Sequence, residues 1–414
     1  MEETLPDYEI DKNNVLGKGS FGIVYKATHN FIEIEEIEEK KEPNSDDKMQ
    51  KKEPNVKNQI QKSEPVALKK LPKEIIEDQE KLASLNNEII ISTKINEKVV
   101  DDDDEIKPFD NSNFKENLVR FIDIANIDKD LYLAYEFCNG GDLKRYLKYF
   151  KSFDEKMTQH IMKQIIQGLY HLHERKIFHH DLKPENILVD LRDEKGNPLP
   201  DEKIKTIMEV TNPKNRELNK DESIMKNDEI LKILFQSKMK ISDFGLSKYA
   251  EEIRDKEVSG SPLYIDPNSL ENESNIETIE NEKVDIWALG IIAYELFFYD
   301  LPFQPFPPSI DKLRQCFKKG EYVIDFSKKK EVSKEFLIFL DLCLQRAQKI
   351  RPLTDELLCC EFIAKNPDTF VKLTLDNYTD EKIAKYPDKS YLREKGKIIM
   401  NIDNNRMISS CFDF

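Results

Sequence analysis

The stretch His179-His180-Asp181-Leu182-Lys183-Pro184-Glu185-Asn186 puts a carboxylate, an ammonium group and an amide within six residues. Phosphoryl transfer needs such groups close together, so a fold that uses them must hold this loop in place. A carboxylate orients an attacking hydroxyl and can accept its proton. A cation offsets charge on the transferring group, and an amide oxygen holds a metal ion. The alternative for these residues taken alone is a polar loop after a helix, the weaker of the two readings. The run Lys240-Ile241-Ser242-Asp243-Phe244-Gly245-Leu246 downstream narrows the choice.

At 414 residues the chain can bury a large core, and about two domains or lobes are expected. A formal net charge of −16 argues against a nucleic-acid partner, which needs clustered Lys and Arg. The six cysteines form neither CxxC pairs nor a Cys/His metal spacing, so free thiols in a reducing compartment are expected. The N-terminus is acidic and lacks the apolar core of a signal peptide. No apolar run approaches the roughly 18 residues of a membrane span. Ile286 to Phe298 is apolar but short and carries Glu295, which suits a buried helix. The expected location is cytoplasmic, with the nucleus not excluded.

Residues 8–27 read as strand, tight turn, strand around Gly17-Lys18-Gly19-Ser20-Phe21-Gly22. Residues 30–64 are polar and contain Lys-Lys-Glu-Pro-Asn twice, from Lys40 and from Lys51, so a disordered insertion is expected. Strand character resumes at Pro65–Lys69, residues 76–95 look helical, and 131–137 form a strand. The acidic run Asp101–Glu105 lacks the spaced ligands and glycine of an EF-hand loop and reads as a solvated surface. Residues 154–175 form a strong helical pattern leading into the Asp181 loop. A second charged insertion, about 194–235, is expected with one helix near Ile230–Leu234. The rest is mostly helical to about residue 363, followed by a polar tail, 364–414. Strands first and helices afterwards predict a two-lobed α+β fold.

The two loops together resemble the catalytic loop and the magnesium-binding loop of the eukaryotic protein kinases. The resemblance covers residues 8–363 apart from the insertions. It implies a small β-rich lobe (about 8–135), a hinge (136–141) and a larger helical lobe (142–363). It also implies ATP and Mg2+ as cofactors, and proteins bearing Ser or Thr as substrates. Asp181 would accept the hydroxyl proton, Lys183 would steady the γ-phosphate, and Asn186 and Asp243 would bind magnesium. Lysine two residues past Asp181 is the serine/threonine pattern.

Gly-x-Gly-x-x-Gly also marks dinucleotide-binding folds, but there a helix follows the last glycine. Here Ile23-Val24-Tyr25 continues as strand, which fits the kinase flap over ATP, formed by Leu16, Gly17, Lys18, Gly19, Ser20, Phe21, Gly22, Ile23 and Val24. The resemblance makes Lys69, in Val66-Ala67-Leu68-Lys69, the α- and β-phosphate lysine, with Glu88 on the next helix as its partner. It places Ala67 and Leu188 against the nucleotide, and backbone groups of Glu136 and Cys138 on the adenine. Tyr135 would be the gatekeeper, and Asp142 would reach the ribose or a basic residue of a peptide substrate.

Four positions depart from the family pattern. Ser92 stands where active kinases usually have a bulky apolar residue. His180 replaces the arginine that normally grips an activation-loop phosphate, and being mostly neutral at pH 7 it is a poorer anchor. The segment ending usually written Ala-Pro-Glu reads Asp266-Pro267-Asn268, so Arg351 needs either a neutral contact or Asp266 in place of its usual glutamate. Such departures also fit a pseudokinase scaffold that binds ATP without turnover. Gly260-Ser261-Pro262-Leu263-Tyr264 is similar to the substrate-facing loop of autophagy-initiating (unc-51-like) kinases, with calcium/calmodulin-dependent kinases a comparable alternative. His179 and Trp287 are expected to be packed structural residues.

Overall fold

The computed structural model describes residues 7–19, 22–36, 57–72, 78–95, 111–212, 226–249, 260–270, 281–302, 310–319 and 332–364. Its described residues fall into two compact units. One spans the chain up to Leu82 together with Arg120–Phe137, and the other takes Ala83–Val119 and everything from Cys138 onward.

The first unit is an antiparallel five-stranded sheet of β1 (Tyr8–Gly19), β2 (Gly22–Glu36), β3 (Lys57–Lys70), β4 (Phe121–Ile127) and β5 (Asp130–Glu136), in the order β1-β2-β3-β5-β4. Alternation along the strands puts Ala27, Val66, Leu68, Ala125, Tyr132 and Ala134 together in a small apolar core. Gly22 closes the β1–β2 turn at φ +134, where a Cβ would lie 2.0 Å from the Lys70 carbonyl oxygen, so only glycine fits.

The insertion expected to be disordered at 30–64 is paired strand over 30–36 and 57–64, in register from Asn30↔Ser63 to Glu36↔Lys57. A two-stranded ribbon needs backbone hydrogen bonds and cross-strand pairs, not a core. Here the Ser63 hydroxyl donates to Asn30 Oδ1 (2.7 Å), Lys62 pairs with Glu33, and His29 stacks on Tyr8 and Phe31. The middle of that insertion, the acidic run at 101–105 and the tail beyond Ala364 lie outside the described residues.

The second unit is mainly helical. It receives α1 (Gln79–Lys94) from Ala83 onward, then α2 (Leu143–Phe150) and α3 (Glu155–His173). Asp142 and Asp154 cap α2 and α3, accepting hydrogen bonds from the backbone N–H groups of Arg145 (2.8 Å) and Met157 (2.7 Å). Ile161, Ile165, Leu169 and Leu172 recur at helical spacing on α3 and are fully buried. Two short strand pairs follow: β6 (Ile177–Phe178) and β7 (Ile187–Asp190) meet β9 (Lys248–Tyr249) and β8 (Lys238–Ile241), respectively.

Among the described residues, the second insertion holds two helices, α4 (Asp201–Val210) and α5 (Asn227–Leu234), where the sequence suggested one. Their apolar faces (Ile207, Val210, Ile230, Ile233 and Leu234) join the main core, so this insertion is part of the folded unit. Lysines and acids between these positions mask the pattern in a charged stretch. Beyond lie α6 (Pro267–Leu270), α7 (Asn281–Phe298), α8 (Ile310–Lys319), α9 (Lys334–Cys343) and α10 (Thr354–Leu358). Helix α7 is apolar on nearly every side and is buried as expected, with Trp287 fully enclosed. Cys138, Cys343, Cys359 and Cys360 are buried free thiols.

Candidate active site

In the first unit, one transverse row crosses four strands: Gly17 pairs with Val24, Val24 with Lys69, and Lys69 with Leu133. Two rows along, Ala67 pairs with Lys26 and with Tyr135. Val66 and Leu68 face the core, so Val24, Ala67 and Lys69 share the opposite face of the sheet. Leu16 is exposed, and Lys18, Gly19 and Ile23 flank the turn. Ser20 and Phe21 lie outside the described residues. The Glu136 backbone N–H donates to the Arg120 carbonyl (2.9 Å), and its carboxylate accepts from the Arg120 N–H (2.7 Å).

In the second unit, the Asp181 loop is held by Asp285. Its Oδ2 accepts from the His179 N–H (2.8 Å) and bonds His173 Nε2 (2.9 Å), while its Oδ1 accepts from the His180 N–H (2.8 Å). Burial works to raise the Asp285 pKa. The hydrogen bond from His173 and the electrostatic influence of the surrounding imidazoles outweigh it and hold the carboxyl below its usual range. His179 is fully buried. Its Nδ1 accepts from the Asp181 N–H (3.2 Å), which leaves Nε2–H to donate to the Ser242 carbonyl (3.0 Å). It is a structural residue, as expected, and it ties the two loops to each other.

Asp181 is the hub. Its Oδ2 meets Lys183 Nζ (2.6 Å) and Asn186 Nδ2 (3.0 Å). Its Oδ1 accepts from the backbone N–H (2.8 Å) and the hydroxyl (2.9 Å) of Ser261, and Lys183 also donates to that hydroxyl (2.7 Å). Gly260 makes this approach possible: at φ +107, a Cβ there would sit 2.6 Å from the His180 carbonyl oxygen. Asn186 uses its NH2 on Asp181, which leaves its amide oxygen as a ligand atom. The Asp243 carboxylate is exposed and has no hydrogen bond or ion pair among the described residues.

Asp142 is mostly buried, and burial raises its pKa. It caps α2 and bridges to Leu188 in β7, so one of its oxygens is already engaged. Glu88 is buried on α1, as is Ser92. Two polar contacts escaped the sequence reading: Ser84 and Asn87 of α1 bond to the backbone after Asp243. Only an i, i+3 pair of polar residues beside Glu88 hinted at them.

The family model for the protein kinase domain matches residues 55–207 and 219–363. The chain belongs to the protein kinase family. It is 24% identical over 366 residues to the human serine/threonine-protein kinase ULK1, covering 88% of this chain and 26% of that protein. It is 24% identical over 250 residues to MAP kinase kinase kinase mkh1 of Schizosaccharomyces pombe (58% of this chain, 18% of that one). It is 25% identical over 301 residues to Aurora kinase B of Mus musculus (73% and 59%). The chain therefore spans less than two thirds of each of these relatives. Their similar depth supports the family and not a subgroup within it. The kinase fold is the bilobal α+β arrangement expected. Among the described residues, no helix is long and apolar enough to cross a membrane.

Kinases use ATP with Mg2+. Asn186 and Asp243 offer hard oxygen donors of the kind magnesium takes, one amide and one carboxylate, with phosphates and water completing such sites.

Proposed function

We propose that this chain is a serine/threonine protein kinase, transferring the γ-phosphoryl group of ATP to a protein hydroxyl. The observation that carries this reading is the Ser261 hydroxyl, which donates to Asp181 Oδ1 while accepting from Lys183 Nζ. A substrate serine needs the same two partners, a carboxylate to take its proton and a cation beside the phosphoryl group. Lys69 and the glycine-rich turn would hold the nucleotide phosphates. Asn186 and Asp243 would hold magnesium, which when bound neutralises charge on the phosphates. Glu136, Cys138, Asp142 and Leu188 would serve the adenine and ribose. A cytoplasmic location and protein partners bearing Ser or Thr complete the proposal.

The competing reading is a pseudokinase scaffold, favoured by His180 in place of arginine. Phosphate transfer to a basic protein, with Asp181→Ala as control, separates the two. Transfer that depends on Asp181 is expected. Wild-type protein no more active than Asp181→Ala would establish the scaffold instead.

A further inference from the structure

Asp243 holds φ +65 and ψ 76, a left-handed conformation that is unfavourable for a non-glycine residue and persists only where the surroundings over-determine it. The chain before it is pinned. The Ser242 N–H and hydroxyl both donate to the Asn186 carbonyl (2.9 Å each), and the Ser242 carbonyl accepts from His179. The chain after it is pinned from α1. The Ser84 hydroxyl donates to the Gly245 carbonyl (3.0 Å), and Asn87 Nδ2 donates to the Ser247 carbonyl (2.6 Å). One further step along, Lys94 Nζ lies 3.7 Å from the centroid of the Tyr249 ring.

Residues 84, 87 and 94 lie along one side of the helix and meet the segment 245–249, which starts in the 3-10 turn Phe244–Leu246 and becomes strand at β9. On its other flank that segment pairs with Ile177 and Phe178, and the Ser247 hydroxyl donates to the His179 carbonyl (3.3 Å). The cation nearest in sequence to a phosphate-gripping role, His180, is held neutral by burial.

We infer that Ser84 and Asn87 are positioning residues that fix the metal-binding loop, and so the carboxylate of Asp243, without activation-segment phosphorylation. The inference rests on the kinase reading above. The two residues act through the Gly245 and Ser247 carbonyls, not on substrate. Losing both hydrogen bonds releases the downstream pin, so Asp243 leaves its strained conformation more often. Metal binding and turnover should weaken together, while binding of the protein substrate should not.

The test compares the full chain with Ser84→Ala/Asn87→Leu. In turnover of a serine-containing basic peptide, kcat should fall about tenfold. The Mg2+ concentration for half-maximal rate should rise several-fold, with KM for the peptide unchanged. Ser84→Thr, which keeps the hydroxyl, should retain the wild-type values where Ser84→Ala does not. Binding of Mn2+ with ATP, followed by the manganese EPR signal, reads the same loop without turnover and should weaken in the double variant. Should the double variant fail to fold, Ser84→Ala alone gives the same reading at about threefold. Wild-type kcat, Mg2+ dependence and Mn2+ affinity in the variants would overturn the inference. Wild-type protein that binds Mn2+ and ATP but transfers no phosphate would overturn the kinase reading alone.

Discussion

Asp266 and Arg351 form an ion pair in the interior of the helical unit, with Nη2 and Oδ1 2.5 Å apart and both side chains fully buried. Gln348 Nε2 donates to the other carboxylate oxygen (2.7 Å), and Arg351 also donates to the carbonyls of Gln345 and Lys283 (2.7 Å each). The negative charge that the family carries two residues later, where this chain has Asn268, has moved to Asp266. Of the two alternatives left open by the sequence, the charged one is realised, because a buried guanidinium is costly without a counter-charge.

Removing the carboxylate strands that guanidinium. Asp266→Ala should destabilise the fold by about 3–5 kcal/mol. Asp266→Ala combined with Arg351→Met removes both charges and should recover a large part of the loss. Urea unfolding of the single and double variants checks this. Equal stability of Asp266→Ala and wild type would contradict it.

His180 and His171 make stability pH-dependent. Burial pushes both imidazoles down to about 4, against about 6.5 in the unfolded chain. The unfolded chain therefore binds more protons between these values. Stability is fully present above about pH 6.5 and is lost as pH falls towards 4, with His180 contributing up to roughly 3 kcal/mol. Urea midpoints at pH 7.5, 6.5 and 5 should decline in that order. His180→Asn, which tolerates the positive φ of 63 at this position, should flatten the decline.

Phosphatase treatment should change the transfer rate less than about twofold. A neutral His180 gives a phosphate little to bind. Of the candidate acceptors, Ser247 is buried with its hydroxyl on His179, and Ser261 is engaged by Asp181 and Lys183. Ser259 lies outside the described residues, and Ser259→Ala should retain most activity. A large phosphatase-sensitive activation would show that another cation, such as Lys248 or Arg254, grips the phosphate.

The two insertions should respond in opposite ways. No described residue between 31 and 62 belongs to a core cluster, so replacing that ribbon with a short Gly/Ser linker should leave catalysis within about threefold. Ile207 is fully buried in the main core, and Ile207→Ala should cost about 2–5 kcal/mol in urea unfolding.

Lys69→Met and Asp243→Ala should each abolish transfer while circular dichroism and the unfolding midpoint stay near wild type. Each change removes a charge meant for phosphate or metal, and neither residue belongs to an apolar core. Near-normal turnover of either variant would defeat the kinase assignment.

The sequence by itself was enough to locate the loops around Asp181 and Asp243, the strand–turn–strand at Gly17–Gly22, the long helix before the catalytic loop and the buried helix around Trp287. These are local signals: residue types at fixed spacing, or an apolar period that shows wherever the rest of the chain lies. What only the tertiary structure decided were relations between distant residues. The partner of Arg351, the Asp285 brace under the catalytic loop, and the hold of Ser84 and Asn87 on Gly245 and Ser247 each join segments far apart in sequence. The insertions were misjudged for the same reason. A charged helix such as α4 shows its core face only once that core exists, and a polar ribbon is held by cross-strand partners that composition does not record.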